Sequence, residues 1–322
     1  MKSGKLVADY KLAPSEMTER VTPAANLFVL AHMGIPEVEL SGWSVTIDGL
    51  VERPLALSLE QLRRRPKRVI EAVHKCAGSP LKPTVPTRQV ANVRWGGADL
   101  QNLLGEAGIK ADATHLWASG LDHGSFAGEA QDCYLKDVPL SRLAAADLLI
   151  AYELNGAPLS ERHGAPARLV VPGFYGTNSV KWLRRIHLAA RRADSLFTNR
   201  LYNDPVPGAA SRQPVWAIAP ESVIVSPRPG GVLPGGPTEV WGWAWSDGAV
   251  RGVEVSVDGG RTWHAADVEA RRQRSWQRFS YRWLADVPGD FELCSRAADA
   301  DGQGQPMADA RNAVHKVRVT VA

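Results

Sequence analysis

The chain has 322 residues with 44% apolar and 22% charged residues, which predicts a globular protein of two domains with ample core. No apolar run approaches the roughly 20 residues that span a bilayer, so a membrane span is excluded. The net charge is only +4, and the basic clusters at Arg63–Arg68 and Arg271–Arg274 lack interleaved aromatic residues, which argues against nucleic-acid binding. The N-terminus has no apolar signal region. As written the chain is therefore expected to be cytoplasmic, although a processed periplasmic chain would look the same.

The first two hundred residues mix strand-like and helix-like patterns. Leu40–Pro66 predicts a strand, a turn at Asp48-Gly49 and a short helix, for which Ser58 and Gln61 form a capping box. Gly97–Gly108 predicts a helix that ends at glycine. Short strands are predicted within 113–122, 146–156 and 167–176.

The remainder of the chain has an all-β pattern. Asn203–Pro214 is rich in proline, glycine and small residues and is interpreted as a linker. Beyond it, Val253, Val255 and Val257 share one face of a predicted strand, and Asp258-Gly259-Gly260 provides a hairpin turn. The predicted fold class is therefore an α+β domain over residues 1–205, followed by an all-β, immunoglobulin-like sandwich over residues 206–322.

Cys76 is the most informative of the three cysteines, Cys76, Cys133 and Cys294, which have no C-x-x-C spacing and so favour neither a disulfide framework nor c-type haem. Cys76 follows a strand-like run and precedes Ala77-Gly78, and positive neighbours favour a thiolate. From these features alone an inert, buried cysteine remains an open alternative. His163, Arg168 and Lys181 flank glycine turns, a pattern that suits an anionic ligand with phosphate and heteroaromatic parts as well as ordinary surface charge.

Several long motifs resemble the sulfite oxidase family of molybdenum enzymes. They are CAGSP, RWGGADLQNLL, SGLDHGSF, the run from LIAYELNG through HGAPARLVVPG to SVKWL, and VEVSVDGGRTW. The matches are collinear and cover about residues 20–320. The resemblance implies a molybdenum–molybdopterin cofactor in the first domain and a dimerisation role for the second, hence a homodimer.

The resemblance also implies roles for individual residues. Cys76 would bind molybdenum through its thiolate, and Tyr202 would line the substrate pocket. Contacts with the pterin are implied for three segments and three single residues: Phe28, Val29, Leu30, Ala31 and His32; Ser179, Val180 and Lys181; and Asp122, His163 and Arg168. The cofactor carries out two-electron oxygen-atom transfer, and the protein orients and surrounds it.

The chain departs from the family where the substrate would bind. The family's FVRNH-like stretch reads FVLAH here, with Leu30 for arginine, and CAGNRR reads CAGSPL, so both of its arginines are lost. Loss of these cations predicts weaker sulfite binding, unless Lys75, Lys82, His74 or Arg88 compensates.

The expected function is oxidation of a small oxo-acceptor such as sulfite, with an external electron carrier such as a cytochrome c and no haem in this chain. The alternatives are a reductase of an S-oxide, N-oxide or nitrate, and a binding protein that kept the fold. A zinc site formed by His32, His123 and His163 is disfavoured by their spacing.

Overall fold

The computed structural model describes residues 5–9, 12–79, 87–145, 147–206 and 208–322. Pro80 and Lys82, which the sequence analysis singled out, lie outside the described residues. The chain divides into two compact units. The first unit is Met1–Asp9, Phe28–Ile70 and Arg94–Trp216, and the second unit is Tyr10–Leu27, Glu71–Val93 and Ala217–Ala322. Among the described residues, no helix is both long and apolar enough to cross a membrane.

The regular elements up to Trp216 are mostly short strands. They are β1 (Val7–Asp9), β2 (Val29–Ala31), β3 (Ser44–Gly49), β4 (Leu55–Ser58), α1 (Leu59–Arg63), β5 (Lys67–Lys75), β6 (Val90–Asp99), α2 (Leu100–Ala107), β7 (His115–Gly120), β8 (Gly124–Phe126), β9 (Glu129–Gln131), β10 (Leu135–Pro139), β11 (Leu149–Leu154), β12 (Ala157–Pro158), β13 (Arg168–Val170), β14 (Leu183–Ala189), β15 (Asn203–Pro205) and β16 (Arg212–Pro214). Short 3-10 helices occupy Pro14–Glu16, Ala24–Asn26, Leu140–Ala145, Glu161–His163 and Gly176–Asn178, and a π-helix occupies Leu196–Arg200.

Both predicted α-helices are present, but α2 begins at Leu100 rather than at the predicted Gly97, because Gly97–Asp99 are the last residues of β6. The Ser58 side chain accepts a hydrogen bond from Gln61 N, and the Gln61 side chain accepts one from Ser58 N, which completes the capping box of α1. Asp99 caps α2, and Gly108 ends it with φ of 71°.

The first unit is built around a five-stranded sheet in the order β10-β7-β14-β3-β4, in which β14 and β3 run parallel and the other pairs run antiparallel. Val45 and Ile47 alternate into its core, as the two-residue period of a strand requires. A second sheet has the order β12-β11-β6-β5, with β13 also paired to β11. β5 passes into the second unit after Ile70, and β6 leaves the second unit after Val93.

The second unit contains a β-sandwich. Its strands are β17 (Glu221–Ser226), β18 (Gly231–Leu233), β19 (Gly236–Trp245), β20 (Val250–Ser256), β21 (His264–Ala265), β22 (Asp267–Val268), β23 (Gln277–Ala285), β24 (Gly289–Asp299) and β25 (Lys316–Val321). One sheet has the order β17-β19-β23-β22 and the other β18-β25-β24-β20-β21. Val240 and Phe279 from the first sheet share one apolar core with Val253 and Leu293 from the second. The predicted α+β domain followed by an immunoglobulin-like sandwich is confirmed.

The segment predicted as a linker contains paired strands instead. Asn203 in β15 pairs with Pro214 in β16, and Val206 N donates to Ser211 O between them. The proline, glycine and small residues that suggested a linker are equally the residues that hairpin connections use.

Candidate functional site

His32 and Tyr202, two of the predicted site residues, meet in the first unit. His32 Nε2 lies 2.5 Å from Tyr202 Oη, and the rings of Phe126, Tyr134 and Phe197 surround the imidazole at 4.7 to 5.3 Å between centroids. Burial, together with the charges of two nearby lysines, lowers the pKa of His32 to about 4. The imidazole is therefore neutral at pH 7 and able to accept a hydrogen bond from the Tyr202 hydroxyl.

Lys136 lies against the ring of Tyr202, and its burial was not predicted from the sequence. Its Nζ is 5.3 Å from the centroid of the Tyr202 ring and donates to Phe197 O at 2.8 Å. The side chain is fully buried, and burial lowers the pKa of Lys136 to about 8. Lysine is so often solvent-exposed that a single lysine within QDCYLKDVPL gave no local signal of burial.

Arg168 is a buried cation of the first unit, and Lys181 is a half-buried one. Arg168 Nη1 donates to His163 O at 3.1 Å, Nη2 donates to Ser179 O at 2.8 Å, and the guanidinium carbon lies 4.8 Å from the centroid of the Trp95 ring. Lys181 Nζ donates to Leu30 O at 2.8 Å. Within the described part of the chain, neither cation forms a salt bridge with a carboxylate.

Burial also changes the charge states of this group. It lowers the pKa of Lys181 to about 7, with a further contribution from the charge of Arg168. It raises the pKa of Asp122 to about 6, against the opposing charge of Lys181. Among the described residues, Asp122 Oδ1 and Arg168 Nε are buried and have no hydrogen-bond partner. The site therefore combines positive charge outside any salt bridge of the described residues with polar atoms available to a ligand.

The remaining predicted contact residues lie in three segments of the first unit. The His163 carbonyl belongs to the 3-10 helix Glu161–His163, and the Ser179 hydroxyl accepts from Val171 N at 3.0 Å. Val180 is a core residue. Phe28, Val29 and Ala31 are buried, whereas Leu30 is half-buried. Their roles toward a cofactor stay predictions.

Cys76 lies in the second unit, in the loop directly after β5. Its backbone N donates to Gln89 O at 3.0 Å, and Gly78 N donates to its Sγ at 3.4 Å. Ser79 Oγ accepts from Gln89 N at 2.7 Å and so ties the same loop to the chain before β6. The thiol is buried, and the Gly78 N–H is a backbone donor directed at its sulfur.

The proposed compensating cations near Cys76 are enclosed. Lys75 forms an ion pair with Glu221, and Arg88 Nε lies 3.7 Å from the other oxygen of the same carboxylate. His74 is buried as well, and Arg311 Nη1 donates to Ala77 O at 2.6 Å. In the described ranges no group of three or more His, Cys, Asp or Glu side chains could hold a metal ion, so the zinc alternative gains no support.

These residues fit an anionic molybdopterin. Arg168 and Lys181 can offset its phosphate, and Asp122 can hydrogen-bond a heterocyclic nitrogen through the oxygen that lacks a partner. The Cys76 sulfur is a soft ligand suited to a high-valent metal. The fit rests on buried donors and acceptors within each unit.

The burial of Lys181 predicts a pH-dependent stability of the cofactor-free chain. Because the pKa of Lys181 is lowered to about 7 from 10.5, the unfolded chain binds more protons at this site between those values. The free energy of unfolding should therefore rise as pH increases from 7 towards 10, by up to about 1.4 kcal/mol per pH unit. Urea unfolding at a series of pH values measures the slope.

Two lysine variants calibrate this slope. Lys181→Met should reduce the slope by up to about 1.4 kcal/mol per pH unit, the remainder coming from Lys136, whereas Lys110→Met, which changes an exposed lysine of the same unit, should retain the full slope. Equal slopes in the two variants would show that Lys181 titrates normally.

Comparisons with known proteins match nearly the whole chain. A family model described as "Oxidoreductase molybdopterin binding domain" matches residues 32–197, and one described as "Mo-co oxidoreductase dimerisation domain" matches residues 212–320. The solved structure of the sulfane dehydrogenase SoxCD from Paracoccus pantotrophus is similar, with a TM-score of 0.81 and 28% identity over 96% of this chain and 87% of that chain.

Curated relatives have related names. Sulfite oxidase of Gallus gallus is 34% identical over 91% of this chain and 70% of its own length. Mitochondrial sulfite oxidase of Mus musculus is 30% identical over 96% of this chain, which spans 63% of that protein. Nitrate reductase [NADH] 1 of Phaseolus vulgaris is 29% identical over 89% of this chain, which spans 37% of that protein.

Proposed function

This chain belongs to the sulfite oxidase family of molybdopterin-dependent oxidoreductases, as its motifs predicted, and from that premise we propose that it transfers an oxygen atom to or from a small oxo-substrate, with sulfite as the first candidate. The molybdenum cofactor, when bound, provides the two-electron chemistry. The residues of this chain bind the cofactor, orient the substrate and exclude water.

The pair Arg168 and Lys181 carries the proposal. A buried cation and a half-buried one, neither in a salt bridge among the described residues, destabilise the fold unless an anion joins them, because an unpaired charge away from water is costly. A phosphate-bearing pterin meets this need. The family membership, and not this cationic group, disfavours the alternative of a binding protein that kept the fold, since a binding protein could hold an anion with the same cations.

Cys76 is proposed as the metal ligand. Its support is the position of the thiol after β5, with Gly78 N donating to Sγ. Asp122 and His163 are proposed to contact the pterin, Asp122 as a largely protonated acid below pH 6 and as a carboxylate above it.

Tyr202 is proposed to line the substrate pocket. The neutral imidazole of His32 holds its hydroxyl, and the Lys136 ammonium lies against its ring. In the tautomer with its proton on Nε2, the imidazole instead donates to Tyr202 Oη, so that the phenol O–H can donate to one oxygen of a substrate oxyanion, and the adjacent cation strengthens that donation.

The partners follow from the domain pair. The second domain is of the dimerisation type, which supports a homodimer. Two-electron oxidation of sulfite with water yields sulfate, two protons and two electrons, so an external acceptor is required. We propose a one-electron carrier such as a cytochrome c, with no haem in this chain.

A reductase of an S-oxide, N-oxide or nitrate is the second candidate function, favoured by the similarity to a nitrate reductase.

Steady-state assays over a panel of substrates test the proposal. The molybdenum-loaded chain is assayed with sulfite and an artificial acceptor, and with dimethyl sulfoxide, trimethylamine N-oxide and nitrate and an artificial donor. Turnover of at least one substrate that is absent from the metal-free chain supports oxygen-atom transfer. Turnover of none, by a fully loaded chain, contradicts it.

The leucine at position 30 leads to a prediction about the KM for sulfite. Leu30 is half-buried at β2, where the family has arginine, so the Leu30→Arg variant should lower the KM for sulfite by about tenfold or more by restoring a cation. The KM for the neutral dimethyl sulfoxide should not change. The effect should increase with Pro80→Arg, at a position outside the described residues.

Leu40→Arg is the matched control, because it adds the same charge at an exposed leucine of the same unit. Equal KM values for sulfite in Leu30→Arg, Leu40→Arg and the unchanged chain would show that Leu30 does not face the substrate.

A further inference from the structure

Two neighbouring residues of β10 in the first unit, Lys136 and Asp137, are both 0% exposed although their side chains are ionisable. Lys136 Nζ donates to Phe197 O at 2.8 Å. The Asp137 carboxylate accepts from Arg192 Nε at 2.8 Å and from Ala193 N at 3.2 Å. Two buried polar side chains of one short strand are therefore both bonded to the stretch of chain that runs into the π-helix.

This stretch leads to Tyr202, whose backbone conformation is costly for a tyrosine. The π-helix Leu196–Arg200 is a rare kind of turn that is frequent at functional sites. Tyr202 itself has a left-handed backbone, with φ of 57°. A residue in this conformation persists only where its surroundings hold it, and such residues cluster at active sites. The contacts that hold the turn therefore bear on the function of Tyr202.

Side-chain hydrogen bonds hold the turn at three of its carbonyl groups. Lys136 donates to Phe197 O within the π-helix, and Asn203 donates through Nδ2 to Thr198 O and Leu201 O, both at 2.9 Å. The donation from Lys136 does not depend on its charge, because an ammonium and a neutral amine both carry N–H groups. The hydrogen bond therefore persists on either side of the lowered pKa of Lys136, which is about 8.

The Tyr202 side chain is held at its ring and at its hydroxyl. Lys136 Nζ lies 5.3 Å from the ring centroid, and His32 Nε2 lies 2.5 Å from Oη. An apolar side chain at position 136 would fill the same space without the cost of burying an amine, so stability alone does not explain this lysine. Its hydrogen bond into the turn before Tyr202 does.

We propose that Lys136 and Asp137 are positioning residues, which fix the Tyr202 phenol in the substrate pocket by holding the turn that precedes it. The inference rests on the proposed function, in which Tyr202 lines that pocket. A phenol that is already fixed can meet a substrate oxygen without being ordered at each binding event, and ordering a side chain on binding weakens the interaction. Loss of either support should therefore act on the reaction through Tyr202.

The first test is the NMR resonance of the His32 ring nitrogens in the full chain without cofactor, identified by its loss in His32→Gln. This resonance reports the position of the phenol without any turnover, and Tyr202→Phe gives its shift when the hydrogen bond is absent. Lys136→Met keeps a side chain of similar length without the donor, and it should move the resonance in the same direction. Lys110→Met, which changes an exposed lysine of the same unit, should leave it unchanged.

The second test is a double-variant cycle of kcat/KM in the molybdenum-loaded chain, with sulfite, or with nitrate if sulfite is not turned over. Tyr202→Phe and Lys136→Met should each lower kcat/KM by about tenfold or more, with the loss divided between KM and kcat in the same way. The double variant Lys136→Met/Tyr202→Phe should agree with Tyr202→Phe within about twofold, because a lysine that acts through the phenol then has nothing left to position.

The possible failures are distinguishable. An unchanged His32 resonance in Lys136→Met, or a double variant in which the two single losses multiply, overturns this inference alone. Full kcat/KM in Tyr202→Phe overturns the role of Tyr202 in the proposed function and this inference with it. If Lys136→Met does not fold, Asp137→Asn, which weakens the second support of the same turn, replaces it in both measurements, and the same outcomes decide.

Discussion

Cys76→Ser should abolish molybdenum-dependent turnover. A serine hydroxyl is a harder and more basic ligand than a thiolate, and it does not replace the charge that sulfur donates to a high-valent metal. Changes beyond the direct ligands already reduce metal affinity or activity by about 10- to 100-fold, so loss of the ligand itself should exceed 100-fold. Turnover per chain and metal content of the purified variant are the measurements.

Cys133→Ser is the matched control for this substitution. Cys133 is a partly exposed thiol of the first unit, and burial raises its pKa. Its variant should retain metal and turnover. Equal losses in Cys76→Ser and Cys133→Ser would indicate a general effect of removing thiols and would remove the special role of Cys76.

Arg168→Met should prevent stable retention of the cofactor. The guanidinium is buried against Trp95, and methionine of similar length preserves much of that packing while removing the charge. Removing one partner of a buried, hydrogen-bonded charge pair costs about 2 to 5 kcal/mol. That cost corresponds to a loss of cofactor affinity by a factor between about 30 and 5,000.

The measurement is the pterin and molybdenum content of the purified chain, compared with thermal unfolding of the cofactor-free form. Because an unmatched buried cation destabilises the empty fold, Arg168→Met should unfold at the same temperature or a higher one when cofactor is absent. Arg185→Met, which changes a more exposed arginine paired with Asp48, should retain cofactor. Full cofactor content in Arg168→Met would exclude Arg168 as a phosphate contact.

Local patterns predicted much of the fold. The capping box at Ser58 and the glycine at Gly108 are signals carried within a few residues, and both helices follow them. The turn at Asp258-Gly259-Gly260 was predicted from its glycines, both of which have positive φ. The inward-facing Val253 and Val255 were predicted from the two-residue period of a strand.

Contacts between distant segments were not predictable in this way. Nothing near Glu221 indicates that its carboxylate meets Lys75, because the pairing depends on β5 entering the second unit. Lys136 was missed for the same reason, since its burial follows from the packing of Phe197 and Tyr202 around it. The predicted division of the domains at residue 205 stays a prediction.

The candidate site was predicted from two kinds of signal. The position of Cys76 after a strand could be read from the chain directly, whereas the roles of Asp122, His163 and Arg168 came from the resemblance to a family. The structure adds what neither signal contained, namely that Arg168 is buried and Lys181 half-buried, with neither in a salt bridge among the described residues.

X-ray absorption at the molybdenum edge tests the metal–thiolate assignment most directly. Measured on the loaded chain and on any residual loaded Cys76→Ser, the spectra should show one fewer sulfur ligand in the variant. An identical number of sulfur ligands in both would place Cys76 outside the metal's coordination and contradict the account.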